Sequence, residues 1–395
     1  MRLFALLAAF FVLPLFAEST IVINEGVEAE LQKGIIPVAI VSDDPTLGAL
    51  VQFALSTHGA IRISPGSSVK VKIGRNALSA VVACDNARCA FETNVEGRDE
   101  DQLALRVADA ALVGLGRRWQ LKPMFADTKV AFVSKFTGHS EIYTTNLARS
   151  KTMRITSYRS TTYGPRWSAD GSRIFFISSM RVGFPEIFST NGIGAASNVI
   201  VGVSGALGAA SSGPDGRLAF ASSNQGTMDI FVAGPSGQGA SRVIIAPNKD
   251  VVNTDPCWSP DGSRFALTSG PSGHPGIYVA SSAGGGLTRI STGHSYCTEP
   301  RWNPANAQQI IFTYSEAAVL QLGLIDFAKS TVSSIETASP IPLSHASWCA
   351  DGRHVVATQG TGIAVVDTVT GKTTRLSTSQ LGECYQPDCW VRRAN

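Results

Sequence analysis

The sequence predicts a mainly β fold, a six-bladed β-propeller preceded by a small α/β domain. Three observations carry this expectation. Trp258-Ser259-Pro260-Asp261-Gly262, followed by the apolar run Phe265-Ala266-Leu267, returns at anchors 167, 212, 258, 302, 348 and 390, with spacings of 45, 46, 44, 46 and 42 residues. A fixed period of roughly 40–50 residues signals a repeat architecture. Three families of strand-like segments recur in step with the anchors, and a fourth short segment ends at each of them, so six units hold four strands each. Residues 18–122, by contrast, lack the repeat and alternate strand and helix patterns, as a layered α/β domain does.

The N-terminal segment reads as a targeting signal. Met1-Arg2 precedes an apolar run from Leu3 to Phe16, and the small residue Ala17 closes it. One positive charge, a short apolar stretch and a small exit residue describe a secretory signal peptide over residues 1–17. The run falls short of the roughly twenty residues that a bilayer requires. No later stretch reaches that length, so the expected product is exported and not membrane-inserted. The net charge of +3 is modest, and no basic block is interleaved with aromatics, which excludes nucleic acid as a partner.

Within residues 18–122, Ile21-Val22-Ile23 reads as a short strand, and Ile35–Val41 as a strand buried on both faces. Asp44-Pro45 supplies an N-cap and a first-turn proline for a helix whose apolar positions are Leu47, Leu50, Val51, Ala54 and Leu55, with Gly59 as its stop. Ile61–Ile63 is a further strand, and Ala80–Ala83 with Ala90–Thr93 a hairpin. A second helix starts near Asp101, with Leu105, Ala108, Leu112 and Leu115 along one stripe. Ser42-Asp43-Asp44 after the buried strand is acidic and would repel a phosphate, so no nucleotide cofactor is expected.

Of the seven cysteines, two pairs share the spacing Cys-x4-Cys. Cys84 and Cys89, between apolar runs, are candidates for a disulfide across a hairpin; Cys384 and Cys389 form a second candidate pair. Neither pair has a second pair or histidines at ligand spacing, so no metal site is expected. Cys257, Cys297 and Cys349 flank anchor tryptophans and read as small buried hydrophobes.

The repeat motif has a mechanical explanation. Proline presets φ for a turn, aspartate bonds the backbone two residues on, and glycine accepts positive φ. The tryptophan wedges between blades, where a flat side chain buries roughly 150–250 Å². The unit that starts at Lys129 lacks an anchor strand of its own, while Pro387-Asp388-Cys389-Trp390-Val391 is spare at the C-terminus. Pairing the two closes the ring and removes both edges.

No catalytic constellation stands out, so no enzyme is expected. Six histidines show no metal spacing, no Gly-x-Ser-x-Gly elbow exists, and the acidic residues after the turns repeat with the blades as turn chemistry does. Three residues before each anchor the chain should reach one mouth of the channel, at Gly164, Ala209, Asp255, Glu299, His345 and Pro387. Asp255, Glu299 and His345 are polar handles on consecutive blades, and Thr254 joins Asp255 in distinguishing its blade. Such a rim suits a protein partner or an extended segment.

An exported chain of this organisation resembles the TolB family, periplasmic propellers of the Tol–Pal system. The resemblance rests on Ile21-Val22-Ile23-Asn24-Glu25-Gly26-Val27, on Asn253–Gly262 and on Thr298-Glu299-Pro300-Arg301-Trp302. It implies a monomeric, non-enzymatic adaptor whose propeller binds the peptidoglycan-associated lipoprotein Pal and whose N-terminal segment binds TolA. Carried over, Thr298 and Glu299 contact a Pal-like protein, with Asp255 in the equivalent place one blade earlier. Glu18, Ser19, Thr20, Ile21, Val22, Ile23, Asn24, Glu25 and Gly26 form the TolA-like binding segment. Two other readings remain: an exported hydrolase or lyase with a carbohydrate or peptide in its channel, which requires clustered titratable groups of shifted pKa, and a propeller that binds a small ligand or calcium.

Overall fold

A computed structural model describes residues 34–392 apart from 182, 193–197, 202–207, 209 and 272. The expected signal peptide, the strand Ile21–Ile23, the segment Glu18–Gly26 and the rim position Ala209 lie outside the described residues. Among those described, no helix is long and apolar enough to cross a membrane.

The N-terminal unit is a five-stranded sheet ordered β2-β1-β3-β4-β5, comprising β1 (Ile36–Ser42), β2 (Ile61–Ile63), β3 (Lys70–Asn76), β4 (Ser79–Cys84) and β5 (Phe91–Glu96). Strand β1 runs parallel to β2 and β3, and β3, β4 and β5 run antiparallel in succession. Helices α1 (Pro45–Thr57) and α2 (Glu100–Leu115) pack with the sheet in one apolar core. The Asp44 carboxylate accepts from the Thr46 and Leu47 N–H groups at 2.9 and 3.0 Å, which satisfies donors that a helix start leaves free. Asp99 caps α2 in the same way, accepting from Gln102 at 2.8 Å. The expectation for β1 holds over Ile36–Ala39 and fails at Val41, 49% exposed, where the strand has passed β2 and pairs with β3 alone. Strand β3 was not expected at all. Its lysines and asparagine alternate with buried Val71 and Ile73, so half of its side chains face water.

Six four-stranded blades follow, and their inner strands line the channel. Blade I is closed by the C-terminal strand Cys384–Val391, which pairs antiparallel with Thr128–Ser134. The inner strands of blades II to VI are Thr162–Trp167, Ser211–Ser212, Val251–Trp258, Cys297–Trp302 and Leu343–Trp348. The ring therefore closes as the spare segment implied. One expectation shifts by a residue. The left-handed position that precedes the anchor by three residues in the other blades is Gln386 here (φ 50°), not Pro387, because this strand carries one residue more before Trp390.

The tryptophans act between blades as expected. Trp258 Nε1 donates to the Ser211 carbonyl at 3.1 Å and Trp348 Nε1 to the Arg301 carbonyl at 3.0 Å, each on the preceding blade. Trp390 donates to the Ala169 carbonyl at 3.0 Å and covers Gly171, where an added Cβ would sit 2.4 Å from the indole. Turn chemistry holds too: Asp261 accepts from Ser259 Oγ at 2.5 Å and from the Ser263 N–H at 3.1 Å, Gly262 has φ 73°, and these donors, Ser259 first, depress the Asp261 carboxyl to about 2.

The cysteine pairs behave differently from each other. Cys84 and Cys89 approach to 3.6 Å between sulfurs as free thiols. The hydrogen bond to Cys89 lowers the Cys84 thiol to about 7, which favours the thiolate that attacks in disulfide formation. Treatment with an oxidant is therefore expected to join these two first, as tryptic peptide mapping would show. Cys384 and Cys389 cannot pair. Both sit on one extended strand, opposite Ser134 and Val130, more than about 10 Å apart, beyond the reach of a disulfide. The thiol beside Cys389 is that of Cys349 on the neighbouring blade.

The two units are joined on one side of the ring. Asp109 of α2 accepts from the Met124, Phe125 and Ala126 N–H groups at 2.6, 2.8 and 2.8 Å, fixing the chain as it enters blade I. The end of α1 docks on blade VI, where the His58 and His354 rings meet at a tilt of 49° with centroids 4.3 Å apart, both buried. Gly59 is required there because an added Cβ would lie 1.5 Å from Asp367 Oδ2. Lys372 Nζ donates to the carbonyls of His58 and Ile61 at 3.1 and 2.8 Å. Asp351, His354 and the Asp367–Lys372 turn all lie at the end of blade VI where the inner strand reaches its tryptophan. The N-terminal unit therefore covers that side, and the opposite mouth of the channel faces away from it.

Candidate functional site: the channel rim and the tier beneath it

In five of the six blades the inner strand carries a bulge just before its tryptophan, and the residue there is held left-handed: Gly164, Asp255, Glu299, His345 and Gln386, with φ of 61°, 51°, 59°, 52° and 50°. Non-glycine residues rarely adopt such φ, and bulges are devices that re-aim a side chain. In blades I, IV, V and VI the bulge turns a side chain toward the channel mouth away from the N-terminal unit; in blade II the position is Gly164. The structure brings Asp255, Glu299 and His345 together there, with Thr254 and Thr298 one residue earlier on their strands.

Glu299 is the centre of this group. Its Oε2 accepts from Thr313 Oγ1 and from the His345 N–H, both at 2.8 Å, and its Oε1 lies 2.8 Å from His345 Nε2. Burial pushes the Glu299 carboxyl up, but the His345 contacts and Thr313 outweigh it and hold the group below its ordinary value. His345 Nδ1 faces Ser344 Oγ at 3.0 Å, so both ring nitrogens are engaged. Asp255 behaves in the opposite sense. Burial first, and the Glu299 charge second, push its carboxyl up, against weaker pulls from Arg166, Thr254 and His345. Thr254 Oγ1 donates to Asp255 Oδ2 at 3.0 Å, the one side-chain partner that distinguishes its blade. Thr298 forms ladder pairs with Thr313, and its backbone aligns Glu299. Gln386, missed in the sequence by the one-residue offset, accepts from the Gly164 N–H at 3.0 Å and joins blades I and II across the seam.

A second tier lies two residues further along the inner strands, at Arg166, Ser211, Cys257, Arg301, Ser347 and Asp388. Arg166 and Asp388 are 3.6 Å apart and both buried. Asp388 also accepts from the Trp167 N–H at 2.9 Å. In the sequence the tier shows only as the recurring Pro-Arg-Trp of 165–167 and 300–302.

Among the described residues, the hydroxyl within hydrogen-bond distance of the His345 ring is Ser344 Oγ, its neighbour on the same strand. Among the described residues the cluster with metal-ligand potential is His58, Asp351 and His354, at the contact between the two units, and Arg353 and Lys372 beside it supply positive charge that disfavours a cation.

Residues 192–387 match the family model of the TolB β-propeller domain. Among solved structures, TolB from Acinetobacter baumannii superposes with a TM-score of 0.73 at 19% identity, covering 91% of this chain and 97% of that one. The chain is TolB-like. A TolB homolog of Chlorobium luteolum is 28% identical over 60% of this chain, and the Tol-Pal system protein TolB of Anaeromyxobacter dehalogenans is 30% identical over 42% of it. These alignments span 52% and 36% of the relatives' own lengths, about half or less. A chain of the nidogen–laminin complex superposes with a TM-score of 0.55 at 11% identity over 68% of this chain and all of that one, a likeness of fold alone. What sets the TolB-like chain apart from a bare ring is the α/β unit docked on its tryptophan side.

Proposed function

We propose that this protein is a non-catalytic periplasmic adaptor of a Tol–Pal-type envelope system. In this reading it is exported with its signal peptide removed, and its rim of Asp255, Thr254, Thr298, Glu299 and His345 binds a Pal-like outer-membrane lipoprotein. The segment Glu18–Gly26 binds a TolA-like inner-membrane protein. The two contacts together link the envelope layers, support outer-membrane integrity and act during constriction at division. The protein works as a monomer and needs no cofactor.

The observation that carries the reading is the repeated left-handed bulge, which presents a polar rim on the face opposite the docked α/β unit in a TolB-like chain. Backbone strain at successive equivalent positions has no architectural need, since Gly164 could serve at every one of them. Strain of this kind collects where side chains are aimed at a ligand. A rigid ring with a polar rim also matches docking better than turnover.

Capture from envelope extract tests it. The protein from residue 18 onward, immobilised, is expected to retain a peptidoglycan-associated lipoprotein, and Glu299→Lys is expected to lose at least tenfold of it, equivalent to about 1.4 kcal/mol. Retention of the lipoprotein by Glu299→Lys at the wild-type level would count against the rim. Failure of the wild-type protein to retain any would count against the adaptor.

A further inference from the structure

We infer that the tier beneath the rim is a binding site for a small anion, a phosphate or a short-chain carboxylate, held chiefly by Arg301. The inference does not depend on the adaptor reading. Arg166, Ser211, Cys257, Arg301, Ser347 and Asp388 surround a cavity of about 120 Å³ at the tryptophan end of the channel. An apolar cavity of about 150 Å³ admits benzene, so this one suits a group of phosphate or short dicarboxylate size.

Arg166 and Arg301 stand on blades II and V, opposite one another, and each is only 8% exposed. Arg166 has Asp388 within 3.6 Å. Arg301 has no carboxylate within ion-pair distance among the described residues; its side-chain bond is to its own Pro300 carbonyl, at 2.9 Å. Of the two guanidiniums, Arg166 has Asp388 at ion-pair distance and acts on Asp255 as well, whereas Arg301 has neither. A buried charge without a partner is costly, and native structures satisfy it with an ion or a ligand. The remaining Arg301 N–H groups are not sealed off, since the fully buried side-chain atoms without a partner are Trp167 Nε1 and Asn253 Nδ2. They therefore open on the cavity. A planar guanidinium offers paired donors that match carboxylate and phosphate oxygens.

Five tryptophans border the same space (Trp167, Trp258, Trp302, Trp348 and Trp390), so occupancy is readable in intrinsic fluorescence. The full chain is titrated with inorganic phosphate and, separately, with succinate, against sodium chloride at matched ionic strength. A saturable change is expected for at least one anion, with half-saturation at or below about 1 mM. A response to phosphate alone assigns a phosphate-bearing ligand, and one to succinate alone a carboxylate. Arg301→Met is expected to weaken the response at least tenfold, and Lys70→Met, exposed on β3, to leave it unchanged. If Arg301→Met does not fold, Arg301→Lys serves instead, keeping the charge but losing the paired donors, with several-fold weaker binding expected. Absence of a saturable response to both anions, or a response unchanged by replacement of Arg301, overturns the inference.

Discussion

Removal of the chain from Leu381 onward is expected to open the ring and lower the melting temperature by at least about 10 °C, or to yield aggregated protein. The strand Cys384–Val391 does more than complete a ladder. It buries Cys384, Pro387 and Asp388, takes the Gly164 N–H on Gln386 and the Trp167 N–H on Asp388, and lays Trp390 over Gly171. Lys129 Nζ sits 4.5 Å from the Trp390 ring, a contact that vanishes with the strand. Its loss exposes two blade edges at once, the inner edge of blade I and the flank of blade II. Differential scanning calorimetry of the truncated chain measures this, and a melting temperature equal to that of the full chain would show that closure adds nothing.

Replacement of His354 by leucine is expected to destabilise the protein by about 3–5 kcal/mol, the range for breaking a buried ion pair from one side. His354 Nδ1 lies 2.6 Å from Asp351 Oδ2, and its Nε2 is reached by the Gly59 N–H at 3.1 Å and by Asp367 Oδ2 at 3.4 Å. The uncharged ring accepts from Gly59; the charged ring donates to Asp367. Burial disfavours the charge, but the two carboxylates outweigh it and push His354 up to about 9 from an ordinary 6.5. His58 is driven the other way, to about 2, by burial first and by the neighbouring His354 second.

The two histidines set opposite pH limits on the docked state. A raised folded pKa gives His354 a contribution that is complete below about 6.5 and disappears as pH rises through about 9. A depressed folded pKa makes His58 favour unfolding as pH falls from about 6.5 toward 2, because the unfolded chain takes up a proton the folded one refuses. Stability of the contact should therefore peak near pH 6.5 and fall on the alkaline side by roughly 3 kcal/mol at most, at 1.36 kcal/mol per pKa unit. Urea denaturation between pH 6 and 10 measures it. His354→Leu should flatten the alkaline limb, and adding Asp351→Asn should recover part of the lost stability by removing the stranded charge.

Much of this was legible in the sequence, for a physical reason. A ring of identical units repeats its constraints, so Trp258 and its relatives recur at a spacing that no single fold element requires. The same regularity exposed the spare C-terminal strand. What escaped was either polar or distant. Strand β3 hid behind Lys70 and Lys72, which face water in alternation with Val71 and Ile73. The one-residue insertion before Trp390 moved the rim position from Pro387 to Gln386, and only the strand register reveals it. Gly59 and His354 meet across 295 residues of chain with His58 beside them, and no local pattern announces the contact. Asp351 stood in a turn motif whose other aspartates serve the turn alone, so its second role on the docking face was invisible until the α/β unit was seen against it.

The rim was legible in part. Asp255, Glu299 and His345 were found by counting back from the tryptophans, yet their left-handed backbone and the Glu299–His345 pairing come from the fold. In the proposed adaptor this rim, and not the tryptophan side, is the partner-docking face. Calorimetric titration of the protein with the purified periplasmic domain of a Pal-like lipoprotein tests it most directly, with charge reversals placed on each side of the ring. At least tenfold weaker binding by Glu299→Lys, with unchanged binding by Asp261→Lys on the tryptophan side, is the predicted result. Equal binding by the wild type and Glu299→Lys, or loss confined to Asp261→Lys, would contradict it.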